Sequence, residues 1–156
     1  TSWRTLAHAA CSRSYHSTSV LLPDGRVLTG GGDSAVFDYQ VFVPPYLLNH
    51  HPRPRLTAAP AQLGYSAANP AWHTLSFAPL APGEALDHVA LLAPGSVTHS
   101  FDASQRYVEL VHGAVTATTI DVQGPLDAAH APPGFYMLFL VSAAGVPSVA
   151  EWVEVR

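Results

Sequence analysis

The distribution of proline and glycine constrains the fold of this chain more than any other feature of its sequence. Fourteen prolines and eleven glycines separate short apolar runs that are rich in Val, Leu, Phe, Tyr and Thr. Apolar residues at helical spacing are almost absent. Short runs of this composition, bounded by turn residues, are typical of strands. The sequence therefore predicts an all-β fold.

The first 45 residues predict a small antiparallel unit. Ser17–Leu22 and Arg26–Thr29 are expected to form a hairpin, because Pro23–Gly25 has the residues of a tight turn. Val41–Val43 adds a short strand that the following prolines end. Two or three strands are too few to close a core, since an isolated hairpin is marginal in water. This unit is therefore expected to need a partner surface.

A second unit is predicted after a proline-rich linker at residues 46–60. Turn residues separate its strands at roughly the 8–12-residue spacing of a β-sandwich. We expect an immunoglobulin-like sandwich over residues 61–156, with Trp72 and Trp152 in its core or between its sheets and Tyr136–Phe139 as a core strand. The predicted strands are His73–Phe77, His88–Leu92, Tyr107–Leu110, Thr116–Asp121, Phe135–Ser142 and Val149–Val155.

Composition excludes some functions. The net charge is −4 and the chain contains no lysine and no cluster of arginines, so the basic footprint of a nucleic-acid-binding protein is missing. No apolar run reaches membrane-spanning length, so no membrane insertion is expected. Charged residues make up 12% of the chain, against about 25% in typical domains, so the surface is poor in charge or partly covered. Cys11 is the only cysteine, which rules out an internal disulfide.

The first unit resembles one repeat of a kelch-type β-propeller, whose four-stranded blades surround a central channel. The matching strings are Trp3–Ala7, Arg13–Ser17, Leu22–Val27 and Gly30–Gly32. Such repeats often carry an arginine, an aromatic residue and a histidine for structural reasons, which is one interpretation of Tyr15 and His16. The other is that both bind a metal. Adjacent strand residues point to opposite faces. For both to bind one metal, the backbone would have to bend at the pair, or the pair would have to lie at the end of a strand near the channel.

Motifs in the second half favour the metal interpretation. The strings Pro94–Asp102, Pro132–Phe139 and Gly145–Ala150 are not required by a generic sandwich. Together with the first unit they resemble, in order and over essentially the whole chain, the C-terminal part of galactose oxidase and glyoxal oxidase, the copper radical oxidases. A phenol and two imidazoles are donors that suit Cu²⁺.

The resemblance implies a fold, a site and a reaction. In that family a propeller precedes an immunoglobulin-like domain, and a loop of that domain delivers a histidine to the copper. The family's axial tyrosine and neighbouring histidine match Tyr15 and His16, and its loop histidine matches His99. The implied reaction oxidises primary alcohols or aldehydes with O2 to give H2O2. Tyr15 would accept the substrate's hydroxyl proton, and the residue pair Gln105 and Arg106 would either hold the His99 loop or bond to carbonyls of the sandwich.

One part of the family's machinery has no counterpart. Its radical-forming tyrosine, cross-linked to a cysteine, lies in earlier blades, and Cys11 does not occupy the position of that cysteine. A cysteine pair that some members carry after the glycine run is also missing, because Gly32 leads into Asp33 and Ser34. We therefore expect this chain to be inactive alone. It would be a processed or excised piece that completes a propeller on another chain or on a removed N-terminal region, in an exported protein.

Two alternatives remain open. The chain could be a non-catalytic β-sandwich module that docks on a propeller partner or a glycan. It could also hold a lone copper site without radical chemistry. The remaining histidines lack metal-type spacing, and His50 and His51 are expected at the surface.

Overall fold

A computed structural model of the protein describes residues 5–33, 37–99 and 101–156. Trp3 and Arg4 of the predicted blade repeat, and Ser100 of the second-half motif, lie outside the described residues. The all-β prediction is confirmed. In chain order the strands are β1 (Ser17–Leu21), β2 (Val27–Gly31), β3 (Tyr39–Phe42), β4 (Leu56–Ala58), β5 (Gln62–Leu63), β6 (Trp72–Phe77), β7 (Leu86–Leu92), β8 (Val97–Thr98), β9 (Phe101–Asp102), β10 (Tyr107–Leu110), β11 (His112–Val115), β12 (Thr119–Gln123), β13 (Gly134–Ser142) and β14 (Glu151–Val155).

The first unit is a three-stranded antiparallel sheet in the order β1-β2-β3. The turn predicted between the first two strands is confirmed. Gly25 has a φ of 81°, a conformation that glycine adopts without steric cost. The Leu22 N–H donates to the Arg26 carbonyl at 2.8 Å and closes the hairpin. Hydrogen bonding by the Arg26 side chain lowers the pKa of Asp24 at the tip of this turn.

The second unit is a sandwich of two sheets, as predicted. One sheet has the order β10-β7-β13-β14-β5 and the other has the order β11-β12-β6-β4. All neighbouring strands are antiparallel except β14 and β5, which are parallel. Alternate residues of both sheets point inward and exclude water, which stabilises the sandwich by burial of apolar surface. The fully buried side chains include Leu63, Leu75, Val89, Leu91, Ile120, Val122, Leu138, Leu140, Val153 and Val155.

Three details of the sandwich differ from the prediction. Trp72 and Trp152 are 50% and 49% exposed, so neither is a core residue. Strand alternation explains both exposures. In β14, Val153 and Val155 point inward, so Trp152 points outward. In β6, Leu75 and Phe77 point inward, so Trp72 points outward. Residues 116–118 form a turn instead of the start of a strand. In that turn the Thr116 hydroxyl accepts the N–H of Thr119 at 2.9 Å.

The sequence between the two units is partly ordered into regular structure. A short 3-10 helix at Pro45–Leu47 opens it. Strand β4 lies within the range predicted as a linker and pairs with β6, so the second sheet begins before residue 61. His50 and His51 are exposed, as predicted.

The hairpin of the first unit packs on the outer face of the five-stranded sheet. Leu21 contacts a small buried cluster that contains Met137 and Phe139. The Ala150 N–H donates to the Pro23 carbonyl at 2.8 Å, and the Tyr46 hydroxyl donates to the Gly25 carbonyl at 2.5 Å. These contacts fix the hairpin beside the sandwich loop that carries β8 and β9.

None of the described residues belongs to a helix with the length and hydrophobicity needed to cross a bilayer.

Candidate metal centre

Tyr15 and His16 lie in the turn that leads into β1. The Ser17 N–H donates to the Ser14 carbonyl at 3.2 Å, so the two residues occupy the central positions of this turn. His16 has a φ of 61°, in the left-handed region that a non-glycine residue rarely adopts. The backbone therefore bends at the pair, as a shared metal site requires, and the two side chains do not diverge across a strand.

His99 lies at the tip of the short hairpin formed by β8 and β9. Thr98 pairs with Phe101, so only two residues connect the strands, and His99 has a φ of 52°. The Asp102 carboxylate braces this hairpin, because its Oδ1 accepts the N–H groups of Ser96 at 2.9 Å and Ser104 at 3.0 Å. Backbone strain of this kind costs about 1–3 kcal/mol and is concentrated at functional sites.

The fold brings the three side chains together. The ring centroids of Tyr15 and His16 are 3.9 Å apart, those of Tyr15 and His99 are 5.2 Å apart, and those of His16 and His99 are 5.1 Å apart. Two turns that are 83 positions apart in sequence thus form one cluster, since His16 and His99 come from different units. Gly95, just before β8, permits this segment to approach β1 closely, because a Cβ there would lie 3.2 Å from Val20 Cγ1.

Within the described part of the chain, the hydrogen bonds of the two imidazoles leave Nε2 without a partner in each ring. His16 Nδ1 lies 2.9 Å from Asp33 Oδ1, and His99 Nδ1 lies 2.7 Å from Thr98 Oγ1. A histidine ligand binds a metal through one nitrogen, while the other is held by a carboxylate, a carbonyl or another polar group. In the tautomer with the proton on Nδ1, both Nε2 atoms can bind a metal, so the donor set fits a copper ion.

The cluster needs its tyrosine to hold a metal. No group of three or more His, Cys, Asp and Glu side chains in the described ranges is placed to bind one. Two imidazoles and the Tyr15 phenol supply three donors of types that Cu²⁺ accepts. Tyr15 is 57% exposed and the His16 side chain 54% exposed, so the cluster is open to solvent and to a further ligand.

Other residues considered from the sequence lie elsewhere. Among the described residues, the Arg106 side chain donates to the Ala129 carbonyl at 3.4 Å, which favours the alternative that it bonds to carbonyls of the sandwich. Cys11 Sγ lies 3.9 Å from side-chain oxygens of Asp38 and Gln40. Further imidazole–carboxylate pairs, such as His88 with Asp87, belong to the sandwich surface.

Several residues of the site were not anticipated from the sequence. Asp33 and Thr98 hold the two imidazoles, Asp102 braces the hairpin, and Gly31 packs against the backbone of His16. The run Gly30–Gly32 could have indicated this glycine, because a residue without a Cβ permits close approach of another backbone segment. Nothing in the sequence pairs Asp33 with His16, which is 17 positions away.

Comparison with known proteins defines the family. The profile of the "Galactose oxidase-like, Early set domain" family matches residues 53–155, and the chain belongs to this family. It is 35% identical to galactose oxidase of Gibberella zeae, over 92% of this chain and 21% of that protein. It is 32% identical to an aldehyde oxidase of Arabidopsis thaliana, over 98% of this chain and 28% of that protein.

A solved structure extends the likeness beyond the sandwich. A fungal alcohol oxidase of the AA5 family, in complex with copper, superposes with a TM-score of 0.79 at 27% identity. The match covers 97% of this chain and 33% of that chain. The chain thus spans about a fifth to a third of the proteins it resembles, and the match includes both the hairpin unit and the sandwich.

Proposed function

We propose that this chain is the C-terminal part of a copper radical oxidase, and that Tyr15, His16 and His99 are its contribution to the copper site. The observation that carries the proposal is the convergence of one phenol and two imidazoles from two separate units, each imidazole with no partner at Nε2 among the described residues. The proteins that this chain resembles, a galactose oxidase, an aldehyde oxidase and an alcohol oxidase, agree with it.

The proposed reaction is oxidation of a primary alcohol or an aldehyde with O2, which gives H2O2. A bound Cu²⁺ ion would supply Lewis-acid activation of the substrate oxygen and one oxidising equivalent. A tyrosyl radical outside this chain would supply the second oxidising equivalent.

Tyr15 is the proposed catalytic residue. Its phenolate oxygen would accept the hydroxyl proton of the substrate, which is general base catalysis. The exposed position of the Tyr15 side chain allows a substrate to reach it. The neighbouring imidazoles of His16 and His99 stay neutral in this scheme, since a histidine ligand must be deprotonated at the nitrogen that binds the metal.

The proposed partner is the remainder of a β-propeller, on another chain or in an N-terminal region. Among the described strands, β3 is bonded on one side only, by β2, which leaves a row of unpaired backbone groups on its other edge. Large apolar side chains are exposed in the same unit, with Phe37 at 99% and Tyr39 at 71%. A neighbouring blade would cover these groups. From the resemblance to the same oxidases, we also propose that the protein is exported from the cell.

A peroxide assay tests the activity. The chain is assembled with the propeller that completes it, and H2O2 release is measured with primary alcohols and aldehydes in the presence of copper. We expect a copper-dependent rate that Tyr15→Phe lowers by about 10²–10⁴-fold, the usual contribution of a general base. Cys11→Ser is the control variant and should keep the rate. A complete complex that releases no peroxide would favour the non-catalytic module.

A further inference from the structure

We propose that Asp33 is a positioning residue that fixes the His16 imidazole so that Nε2 faces the metal, an inference that rests on the copper site proposed above. Asp33 follows the glycine run just beyond β2, and its Oδ1 lies 2.9 Å from His16 Nδ1. An ionised carboxylate only accepts hydrogen bonds, so Nδ1 carries the ring proton and donates it. Nε2 is left as the nitrogen with a free lone pair.

The His16 ring needs such a partner. Its side chain is 54% exposed, so packing alone does not hold it in one orientation. Without an acceptor at Nδ1 the ring can rotate and can take either tautomer, and only some of these states present Nε2 to the metal. A carboxylate at Nδ1 removes this freedom and raises the basicity of the ligand nitrogen.

The backbone that precedes Asp33 is itself held in place. Gly31 and Gly32 have φ values of 72° and 115°, which turn the chain at the end of β2. The Arg13 side chain is 4% exposed, donates to the Gly31 carbonyl at 3.1 Å, and forms an ion pair with Asp38. One buried guanidinium thus binds one residue before Asp33 in the sequence and one residue after it.

Copper affinity is the first test. The dissociation constant of Cu²⁺ is measured for the 156-residue chain by competition with a chelator. We expect Asp33→Ala to weaken binding about tenfold, the lower end of the range for such partners, because the pair is half exposed. Asp33→Asn should recover part of the loss, since its amide oxygen can still accept from Nδ1. Asp87→Ala is the matched control, because it breaks the similar pair with His88, 2.8 Å long, on the sandwich.

A double-mutant cycle separates positioning from a general effect of charge. If Asp33 acts through His16, Asp33→Ala should have no further effect in a His16→Ala background. An equal loss of affinity in both backgrounds would overturn the proposal, as would wild-type affinity in Asp33→Ala.

A metal-free measurement keeps the inference independent of the proposed function. The ring nitrogens of His16 are observed by 15N NMR in the absence of copper. We expect a proton fixed on Nδ1 in the wild type and in Asp33→Asn, and a mixture of tautomers in Asp33→Ala. If the wild-type chain takes up no copper, the proposed copper site fails, and this spectrum alone decides on Asp33. A His16 tautomer that is the same in wild type and Asp33→Ala would overturn the role of Asp33.

Discussion

At the scale of single residues, the candidate centre depends on backbone conformations that few residues tolerate. The three non-glycine residues with positive φ in the described part of the chain are His16, His50 and His99, and two of them belong to the metal cluster. His16 and His99 both lie outside the strands, in the turns next to β1 and β8. At His16 and His99 this left-handed backbone accompanies the convergence of the two imidazoles with Tyr15.

Gly31→Ala is expected to damage the centre without touching a ligand. A Cβ at Gly31 would lie 2.9 Å from the His16 carbonyl oxygen, and the φ of 72° disfavours any side chain. We expect the free energy of unfolding to fall by about 1–3 kcal/mol, with weaker copper binding as His16 shifts. Urea unfolding and copper titration measure the two effects.

The control for this change is Gly30→Ala, where a Cβ meets ordinary van der Waals contact at 3.5 Å from Tyr39 Cβ. Equal effects of the two substitutions on copper binding would contradict the role of Gly31.

Thr98→Val tests how the second imidazole is held. The Thr98 hydroxyl lies 2.7 Å from His99 Nδ1, and valine has the same shape without the hydroxyl. Copper binding should weaken several-fold, and by less than for Asp33→Ala, because a neutral partner bonds less strongly than a carboxylate. Thr98→Ser keeps the hydroxyl and should stay close to the wild type in the same titration. Loss of affinity in the serine variant alone would contradict this interpretation.

At the scale of elements, the sequence predicted the long strands and missed the short ones. β7 and β13 have continuous apolar runs and were placed within a few residues. β5, β8 and β9 have two residues each, too few to show an alternating pattern, and their pairing depends on contacts with distant segments. The candidate ligands Tyr15, His16 and His99 were named from motifs, whereas Asp33 and Asp102 act through tertiary contacts that no local pattern reveals.

Arg53, in the segment between the two units, holds the loop that connects β13 and β14. Its Nε donates to the Pro147 carbonyl at 2.9 Å and its Nη2 to the Ser148 carbonyl at 2.7 Å, and burial lowers its pKa. Arg53→Ala leaves two carbonyls without partners and should lower the free energy of unfolding by about 1–3 kcal/mol. Chemical denaturation measures this. Arg55→Ala, at an exposed position of the same segment, is the control and should change it little.

At the scale of the whole molecule, the exposed edge of β3 and the low fraction of charged residues both favour a partner surface. Charged residues are 12% of the chain, and the hairpin unit exposes aromatic side chains beside the unpaired edge of β3. The sequence predicted that this unit needs a partner surface, and the cluster of Tyr15, His16 and His99 lies at its border with the sandwich. The partner itself stays a prediction.

Hydrogen exchange locates the partner surface. On assembly with a completing propeller, the amides of β3 should exchange more slowly, because a neighbouring strand or blade would shield them. Tyr39→Arg, on the exposed side of the hairpin unit, should weaken assembly. Val115→Arg, at a 43% exposed position of the sandwich, is the matched control and should not. Protection confined to the sandwich would contradict the proposed interface.

Native mass spectrometry of the protein titrated with Cu²⁺ tests the central claim most directly, because it counts metal ions and partner chains together. The account predicts one copper per 16.5 kDa chain, retained in Asp87→Ala and lost in the His16→Ala, His99→Ala double variant. Uptake of no copper, or uptake that survives loss of both histidines, would contradict the assignment of Tyr15, His16 and His99 as the metal centre.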